Sequence, residues 1–259
     1  MSSDQEIYPI SQMRVEQRGR GPRVIFVHGG EEEGGLVAFS TQLPLAATYT
    51  LIIPDLPGHG QSPAQGRATA ERDALLVAEL LDNGAHLVGH SYGGAVALRV
   101  AATRPDAVRS LTLIEPATLD IGVGDPEVRA MLIELVQAVA IPDLRERLIA
   151  FARVVGIHKA WPDILPDMYR RLAEDLPGLL TPPAAGSVTT RQLTDTVAAA
   201  GIRSLIIAGG HRVAWEHLCD MMAEALGGQR DVLSGFSHAV QQCGALFNAR
   251  LEQFWQQLT

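Results

Sequence analysis

The stretch His86-Leu-Val-Gly-His-Ser-Tyr-Gly-Gly-Ala-Val-Ala-Leu98 predicts a strand, a sharp turn and then a helix over residues 91–103. A serine hydroxyl at its ordinary pKa is a poor nucleophile, and such a turn presents it clear of its own backbone. The turn tolerates only very small side chains two positions before and after the serine, and here these are Gly89 and Gly93. The pattern indicates that Ser91 is a nucleophile, and a plain strand-to-helix turn is the alternative.

Short apolar runs bounded by turn residues recur on both sides of this turn. Their length and continuous apolarity are typical of strands that are covered on both faces of a sheet. They comprise residues 24–27, 51–54, 86–88, 111–114, 205–208 and 231–233. Helical patterns separate them over residues 69–81, 91–103, 214–226 and 245–258. The alternation predicts an α/β fold, with a mostly parallel sheet and helices on both of its faces.

One interval between residues 115 and 205 breaks the alternation. It contains helical segments at residues 126–140, 144–155, 166–174 and 191–199, and prolines punctuate it. An all-helical insertion between two strands of a parallel sheet is most simply a cap over the carboxyl ends of the strands, where ligands bind in open α/β sheets. We therefore expect a core of residues 1–116 and 201–259, and a helical cap of residues 117–200.

The composition excludes several functional classes. The formal net charge is −8 over 259 residues, and no block of basic residues suggests a nucleic-acid partner. No run approaches the length of a membrane span, and the first 20 residues lack the apolar core of a signal peptide. The two cysteines are too few for a disulfide framework and lack metal-site spacing. We expect a cytoplasmic protein with no cofactor, no bound metal and no membrane partner.

The strand of residues 24–27 ends in His28-Gly29-Gly30. An oxyanion hole needs two backbone amides aimed at one point, one from the residue after the nucleophile and one from the loop after this strand. Tyr92 and Gly30 are the candidates, and a glycine-rich loop without a role is the alternative. We expect the following Glu31-Glu32-Glu33 to be a solvated loop face, because three carboxylates would oppose a developing oxyanion.

Two further loops follow strands. Asp55-Leu-Pro-Gly-His-Gly-Gln-Ser62 reads as a structural turn in which Asp55 caps backbone amides, so we expect His59 not to be catalytic. Gly235-Phe-Ser-His238 begins where the last strand ends, in the right place in chain order for a base that reaches Ser91. A structural histidine is the alternative at position 238.

These four loops, in this order, resemble the α/β-hydrolase superfamily, in particular its capped branch of esterases, lactonases, carbon–carbon bond hydrolases and dehalogenases. The resemblance implies Ser91 as nucleophile, His238 as base, and the amides of Gly30 and Tyr92 as the oxyanion hole. Dehalogenases and epoxide hydrolases carry aspartate at the position of Ser91, which argues against both activities.

The chain departs from this family at the third triad residue. Most relatives place an aspartate after the strand that corresponds to residues 205–208, but Gly209-Gly-His-Arg212 has arginine there. Some branches draw the acid from the end of the strand after the nucleophile's helix, where this chain has Glu115, followed by Pro116. We expect Glu115 to be the acid, held extended by Pro116. The alternatives are Glu216 as the acid, a dyad with no acid, and a Glu115 that merely pairs with a backbone amide or a cap residue.

The resulting prediction is a serine hydrolase that cleaves an apolar carboxylic ester or lactone through an acyl-enzyme on Ser91. Two other readings stay open. The same triad can serve a thioesterase, a carbon–carbon bond hydrolase or a cyclase of a biosynthetic pathway. A hydrolase fold can also be kept as a small-molecule-binding protein without catalysis, for which the absence of the usual aspartate is the best argument.

Overall fold

The structure, a computed structural model, describes residues 12–31, 33–180 and 186–257. The described residues form a seven-stranded sheet. Its strands are β1 (Val15–Gly19), β2 (Arg23–Val27), β3 (Thr50–Pro54), β4 (Ala85–His90), β5 (Val108–Ile114), β6 (Ser204–Ala208) and β7 (Gln229–Val232). Their spatial order is β1-β3-β2-β4-β5-β6-β7, in which β1 runs antiparallel to β3 and the other neighbouring pairs are parallel. The predicted fold class is confirmed.

Helices connect the strands in the predicted alternation. Those that flank the sheet in chain order are α1 (Gly35–Ala38), α2 (Ala70–Ala78), α3 (Tyr92–Thr103), α8 (Val213–Leu226) and α9 (Ala245–Gln256). Four more lie between β5 and β6: α4 (Pro126–Val139), α5 (Leu144–Val155), α6 (Asp167–Leu179) and α7 (Thr190–Ala199). None of the helices in the described ranges is long and apolar enough to cross a membrane.

The sheet separates two apolar cores. Side chains alternate across a strand, so Ile25 and Val27 of β2 pack with α2, α3 and α8, whereas Val24 and Phe26 pack with α9 on the other face. All four of these side chains are fully buried. Burial on both faces explains why the parallel strands are continuous apolar runs, and it makes the sheet a rigid platform for the loops at its carboxyl edge.

The helices of the insertion do not all pack in the same place. Leu193 and Val197 of α7 belong to the core beneath α3 and α8. By contrast, α4 and α5 pack on Trp215 and Leu218 of α8, and α6 closes a separate small cluster with them. Helix α7 therefore completes the helical layer of the sheet, whereas α4 to α6 pack on α8 and on one another.

Candidate active site

Ser91 occupies the turn between β4 and α3 and is partly exposed. Its backbone has φ 51° and ψ −119°, a strained conformation for a residue with a side chain. The turn is closed by its neighbours: the Ser91 amide donates to the Ile114 carbonyl at 2.9 Å, and the Ser91 carbonyl accepts from Ala117 at 2.9 Å. A Cβ at Gly93 would lie 2.2 Å from the Val27 carbonyl oxygen, so only glycine permits this approach. The predicted geometry of the turn is therefore present.

His238 lies on the loop after β7, with its side chain 1% exposed. Its Nδ1 is 2.6 Å from Oε2 of Glu115, and Trp215 packs with its ring centroid 4.8 Å from that of His238. On the other side the His90 ring, one residue before Ser91, lies 4.9 Å away. His90 Nε2 is also 2.9 Å from the His238 carbonyl oxygen, which ties the loop to the nucleophile turn. The structure thus brings His238 and Glu115 together beside the turn that carries Ser91.

Glu115 is fully buried at the end of β5. Its second carboxylate oxygen, Oε1, accepts from the Gly209 amide at 2.7 Å, and His211 Nδ1 lies 3.4 Å from the same oxygen. The expectation of an extended backbone was wrong, because Glu115 has φ 38°. Its amide donates to the Ile207 carbonyl of β6 at 3.0 Å, and the tertiary contacts at this edge override the local preference of a residue before proline.

The two buried partners shift each other's protonation. Burial alone disfavours both charged forms, yet the hydrogen bond to Glu115 and its negative charge raise the pKa of His238 above the usual value. Burial raises the pKa of the Glu115 carboxyl group, but the nearby imidazoles of His211 and His238 outweigh burial and lower it. Glu115 therefore stays ionised at neutral pH, and it favours the imidazolium form of His238.

The alternative acid, Glu216, has other partners. Its Oε1 accepts from the Gly210 amide at 2.9 Å at the start of α8, and its Oε2 forms an ion pair with Arg230 at 2.5 Å. Arg212, at the position of the usual aspartate, binds Glu134 of α4 at 2.7 Å and the Val154 carbonyl of α5 at 2.9 Å. The loop that carries the acid in most relatives therefore contacts the insertion in this protein.

The candidate oxyanion donors lie side by side. Gly30 and Tyr92 line one cleft, and a Cβ placed on Gly30 would be 3.9 Å from the Cβ of Tyr92. Histidines hold the loop: His28 Nδ1 lies 2.7 Å from the Gly29 carbonyl oxygen, and His59 Nε2 lies 2.9 Å from that of Gly30. Burial lowers the pKa of His28 to about 3, so this side chain is neutral.

The structural role expected of Asp55 is confirmed, since it accepts from the amides of Gly35 and Gln61.

The prediction for the glutamates of this loop was wrong in one respect. Glu31 is 8% exposed rather than solvated, and its Oε1 lies 3.8 Å from His90 Nδ1. Glu32 lies outside the described residues. Glu31, His90 and His238 could together approach one cation, since their ligand atoms lie within 4.8 Å of one another.

Sequence reasoning did not anticipate that His90, His211 and Trp215 would surround His238. The first two were visible as histidines in loops at strand ends, but nothing in the local pattern shows which way their rings point. Trp215 lies inside a regular helical pattern, so its contact with His238 has no signal in the sequence. These contacts depend on how distant segments of the chain pack.

The chain resembles known proteins both in sequence and in fold. Residues 24–250 match the alpha/beta hydrolase family. The chain is 38% identical to lipase LipV of Mycobacterium tuberculosis over 168 residues, which cover 61% of this chain and 59% of the lipase. It is 42% identical over 100 residues to the pimeloyl-[acyl-carrier protein] methyl ester esterase of Chromobacterium violaceum, and the match covers 39% of each chain. Among solved structures, an ancestral haloalkane dehalogenase, AncHLD2, superposes with a TM-score of 0.70 at 22% identity over 95% of this chain and 96% of that one.

These comparisons differ in what they show. The matched segment spans less than two thirds of the lipase and of the esterase. The likeness to the dehalogenase shows the fold alone. This chain has Ser91 at the position where we expect a dehalogenase to have aspartate. The family match extends from β2 to α9 and includes each loop described above. The chain belongs to the alpha/beta hydrolase family.

Proposed function

We propose that this protein is a serine hydrolase that cleaves carboxylic esters or lactones, with Ser91 as nucleophile, His238 as base and Glu115 as acid. The observation that carries the proposal is the strained turn at Ser91, next to a buried imidazole that is itself bound to a buried carboxylate at 2.6 Å. A family whose matched relatives include a lipase and an ester-cleaving enzyme supports the choice of bond.

In the proposed reaction His238 takes the proton of the Ser91 hydroxyl as the serine oxygen attacks the carbonyl carbon. The tetrahedral intermediate collapses when His238 passes that proton to the leaving alkoxide, which leaves an acyl group on Ser91. A water molecule then repeats the cycle: it loses a proton to His238, attacks the acyl carbon, and releases the acid as the proton returns to Ser91.

Two features of the site would stabilise the charges that develop. The amides of Gly30 and Tyr92 would donate to the oxyanion, and Tyr92 belongs to the first turn of α3, where unpaired amides give a partial positive charge. Glu115 would fix the Nδ1–H tautomer of His238 and stabilise its imidazolium. Ser91 and Glu115 are two of the four non-glycine residues with positive φ in the described ranges, and such backbone strain is common at functional sites.

The cleft beside the oxyanion donors supports a mainly apolar substrate. Its walls come from the loop after β3 and from α6, and they include Pro57, Ala64, Met168 and Leu172. Arg171 and Asp175 line its cap side, so the cleft is apolar with a charged margin. We propose that α4 to α6 form the cap that selects the substrate, and that a small molecule binds beneath it.

Reaction with a fluorophosphonate probe tests the nucleophile, because only an activated serine is labelled. We expect the wild-type protein to be labelled at one serine and to hydrolyse p-nitrophenyl butyrate, and Ser91→Ala to lose both while keeping its circular dichroism spectrum. Ser234→Ala is the matched control, since Ser234 is exposed on the loop that leads to His238. Labelling that persists in Ser91→Ala would refute the assignment.

Product analysis separates the proposed bond from the other candidates. A panel of esters, lactones, thioesters and 1,3-diketones should show turnover of the oxygen esters and lactones, whereas preferred cleavage of a thioester or a carbon–carbon bond would support the biosynthetic alternative. A protein that binds panel members without labelling or turnover would be a binding protein instead.

A further inference from the structure

The carboxyl-terminal end of α5 contacts the surroundings of His238 through three consecutive carbonyl groups. The last carbonyl groups of a helix have no partner within the helix and must be satisfied elsewhere. The Val154 oxygen accepts from Arg212, the Val155 oxygen accepts from Trp215 Nε1 at 3.2 Å, and the Gly156 oxygen accepts from the His238 amide at 3.4 Å. This part of the cap is thus bonded to the loops that hold the base.

His211 lies between the end of α5 and the proposed acid. Its Nε2 is 3.2 Å from the Val155 carbonyl oxygen, and its Nδ1 is 3.4 Å from Oε1 of Glu115. No hydrogen-bond partner of ordinary length faces this buried Nδ1 within the described part of the chain. The Val155 oxygen also accepts from Trp215 Nε1, whereas a carboxylate oxygen faces Nδ1, so a hydrogen at Nδ1 would point toward Glu115.

The end of α5 is shaped to admit this ring. Gly156 terminates the helix in the left-handed conformation with φ 92°. A Cβ on Gly156 would lie 2.4 Å from His211 Nε2. A larger residue would be strained by its backbone and would also displace the imidazole, so helix termination and access for His211 depend on the same glycine.

We propose that His211 is a positioning residue, which holds Glu115 so that Oε2 faces His238. The proposal rests on the proposed function, since it assigns Glu115 the role of acid. The carboxylate has three partners: Gly209 and His211 face Oε1, and His238 faces Oε2. Among the described residues, loss of His211 would leave the Gly209 backbone amide as the one donor that fixes the rotation of Oε1.

Two amide substitutions at position 211 test the roles of the two ring nitrogens separately. In His211→Asn the side-chain amide can stand near the position of Nδ1, whereas in His211→Gln it reaches the position of Nε2. We expect His211→Gln to lower kcat for p-nitrophenyl butyrate by about tenfold with KM within about twofold, because a misplaced acid harms alignment and leaves the cleft intact. His211→Asn should retain most of the wild-type kcat.

The decisive readout is spectroscopic and needs no substrate. The proton shared by His238 Nδ1 and Glu115 should give a far-downfield resonance in the one-dimensional proton NMR spectrum of the unliganded protein. We expect this resonance to move or broaden in His211→Gln and to keep its position in His211→Asn. Arg212→Met is the control. It removes the hydrogen bonds to Val154 and Glu134, none of which involves Glu115, so it should leave the resonance in place.

An unchanged resonance in His211→Gln would overturn the proposal, as would an equal change in Arg212→Met, which would attribute the effect to loosened docking of the cap. Either result stands even if one variant is less stable, because all of them are compared in the folded state by the same signal. Absence of ester turnover by the wild-type protein would instead refute the proposed function, and the resonances could still be compared.

Discussion

Ser91, Glu115 and Ser237, which precedes His238, have φ values of 51°, 38° and 48°. Residues with side chains rarely adopt such values, and each costs on the order of 1–3 kcal/mol. Backbone hydrogen bonds at these positions, such as those from Ala117 to Ser91 and from Glu115 to Ile207, offset part of that cost. These three are at the proposed site, which supports a functional origin there; the fourth such residue of the described chain, Asp82, precedes β4.

The role of Glu115 can be tested at the level of one atom. We expect Glu115→Gln to preserve packing and to lower kcat by a factor on the order of 10² to 10⁴, because the amide can favour the wrong tautomer of His238. Removal of the carboxylate should also lower the pKa of His238, so the acidic limb of the kcat/KM profile should move to lower pH.

Two carboxylates serve as controls for this substitution. Glu216 pairs with Arg230, and Asp120 accepts from Thr190 at the start of α7. Glu216→Gln and Asp120→Asn should each change kcat by less than about threefold, since neither of these groups contacts His238 in the structure. A large loss in Glu216→Gln would place the acid beside the loop used by most relatives.

At the level of single residues the sequence was informative about chain position and uninformative about orientation. Glu115 was predicted to be the acid because it ends a strand, yet its φ is positive rather than extended. Glu31 was placed in solvent on grounds of charge, yet it is buried beside His90. Both errors have one cause: local preference was applied where contacts between distant segments decide the conformation.

The elements were predictable where their pattern is strong. The helix expected at residues 144–155 coincides with α5, and the nucleophile helix begins one residue later than expected. By contrast, β1 was missed because an antiparallel edge strand with polar, exposed residues lacks the apolar signal of the inner strands. The sixth helix extends to Leu179, past Pro177, where the proline had suggested an earlier end.

The different packing of the elements leads to a prediction about their stability. The buried side chains of α6 belong to a small cluster within the insertion, and its first residue lacks a side-chain cap. Every residue of β6 is buried within the sheet. We expect amide hydrogens of α6 to exchange at least about tenfold faster than those of β6, because opening this small cluster exposes less apolar surface than opening the sheet.

Hydrogen exchange followed by mass spectrometry can measure both segments in one experiment. Helix α7 is the internal control, since it comes from the same insertion but packs into the core beneath α3 and α8. It should exchange as slowly as those helices. Equal protection of α6 and β6 would contradict a cap that opens separately from the sheet.

For the whole molecule, buried histidines predict how stability depends on pH. Burial lowers the pKa of His28 to about 3 and those of His86 and His90 to about 4. Between these values and 6.5 the unfolded chain binds protons that the native protein does not, so the free energy of unfolding falls as the pH falls. Each of these histidines lowers the free energy of unfolding by up to about 1.4 kcal/mol per pH unit of acidification in this window.

His238 has the opposite sign, since its pKa is raised. Its stabilisation is lost as the pH rises through the folded value and is fully present below the unfolded value, so below 6.5 it is constant and does not offset the acid effect there. Urea unfolding at pH 7, 6 and 5 should therefore show a loss of several kcal/mol on acidification. A free energy of unfolding that is flat across this range would show that these three imidazoles are not buried in the neutral form.

Glu115 and His238 are 123 positions apart along the chain, with the insertion between them, although their side chains are in contact. Any cut within the insertion leaves Ser91 and Glu115 on one piece and His238 on the other. Each piece then carries an incomplete set of reacting groups, and β5 and β6, which pair in the sheet, also fall on different pieces. Hydrolysis by a mixture of two such pieces would therefore report their association, and the protein could serve as a split reporter whose signal requires the sheet to reassemble.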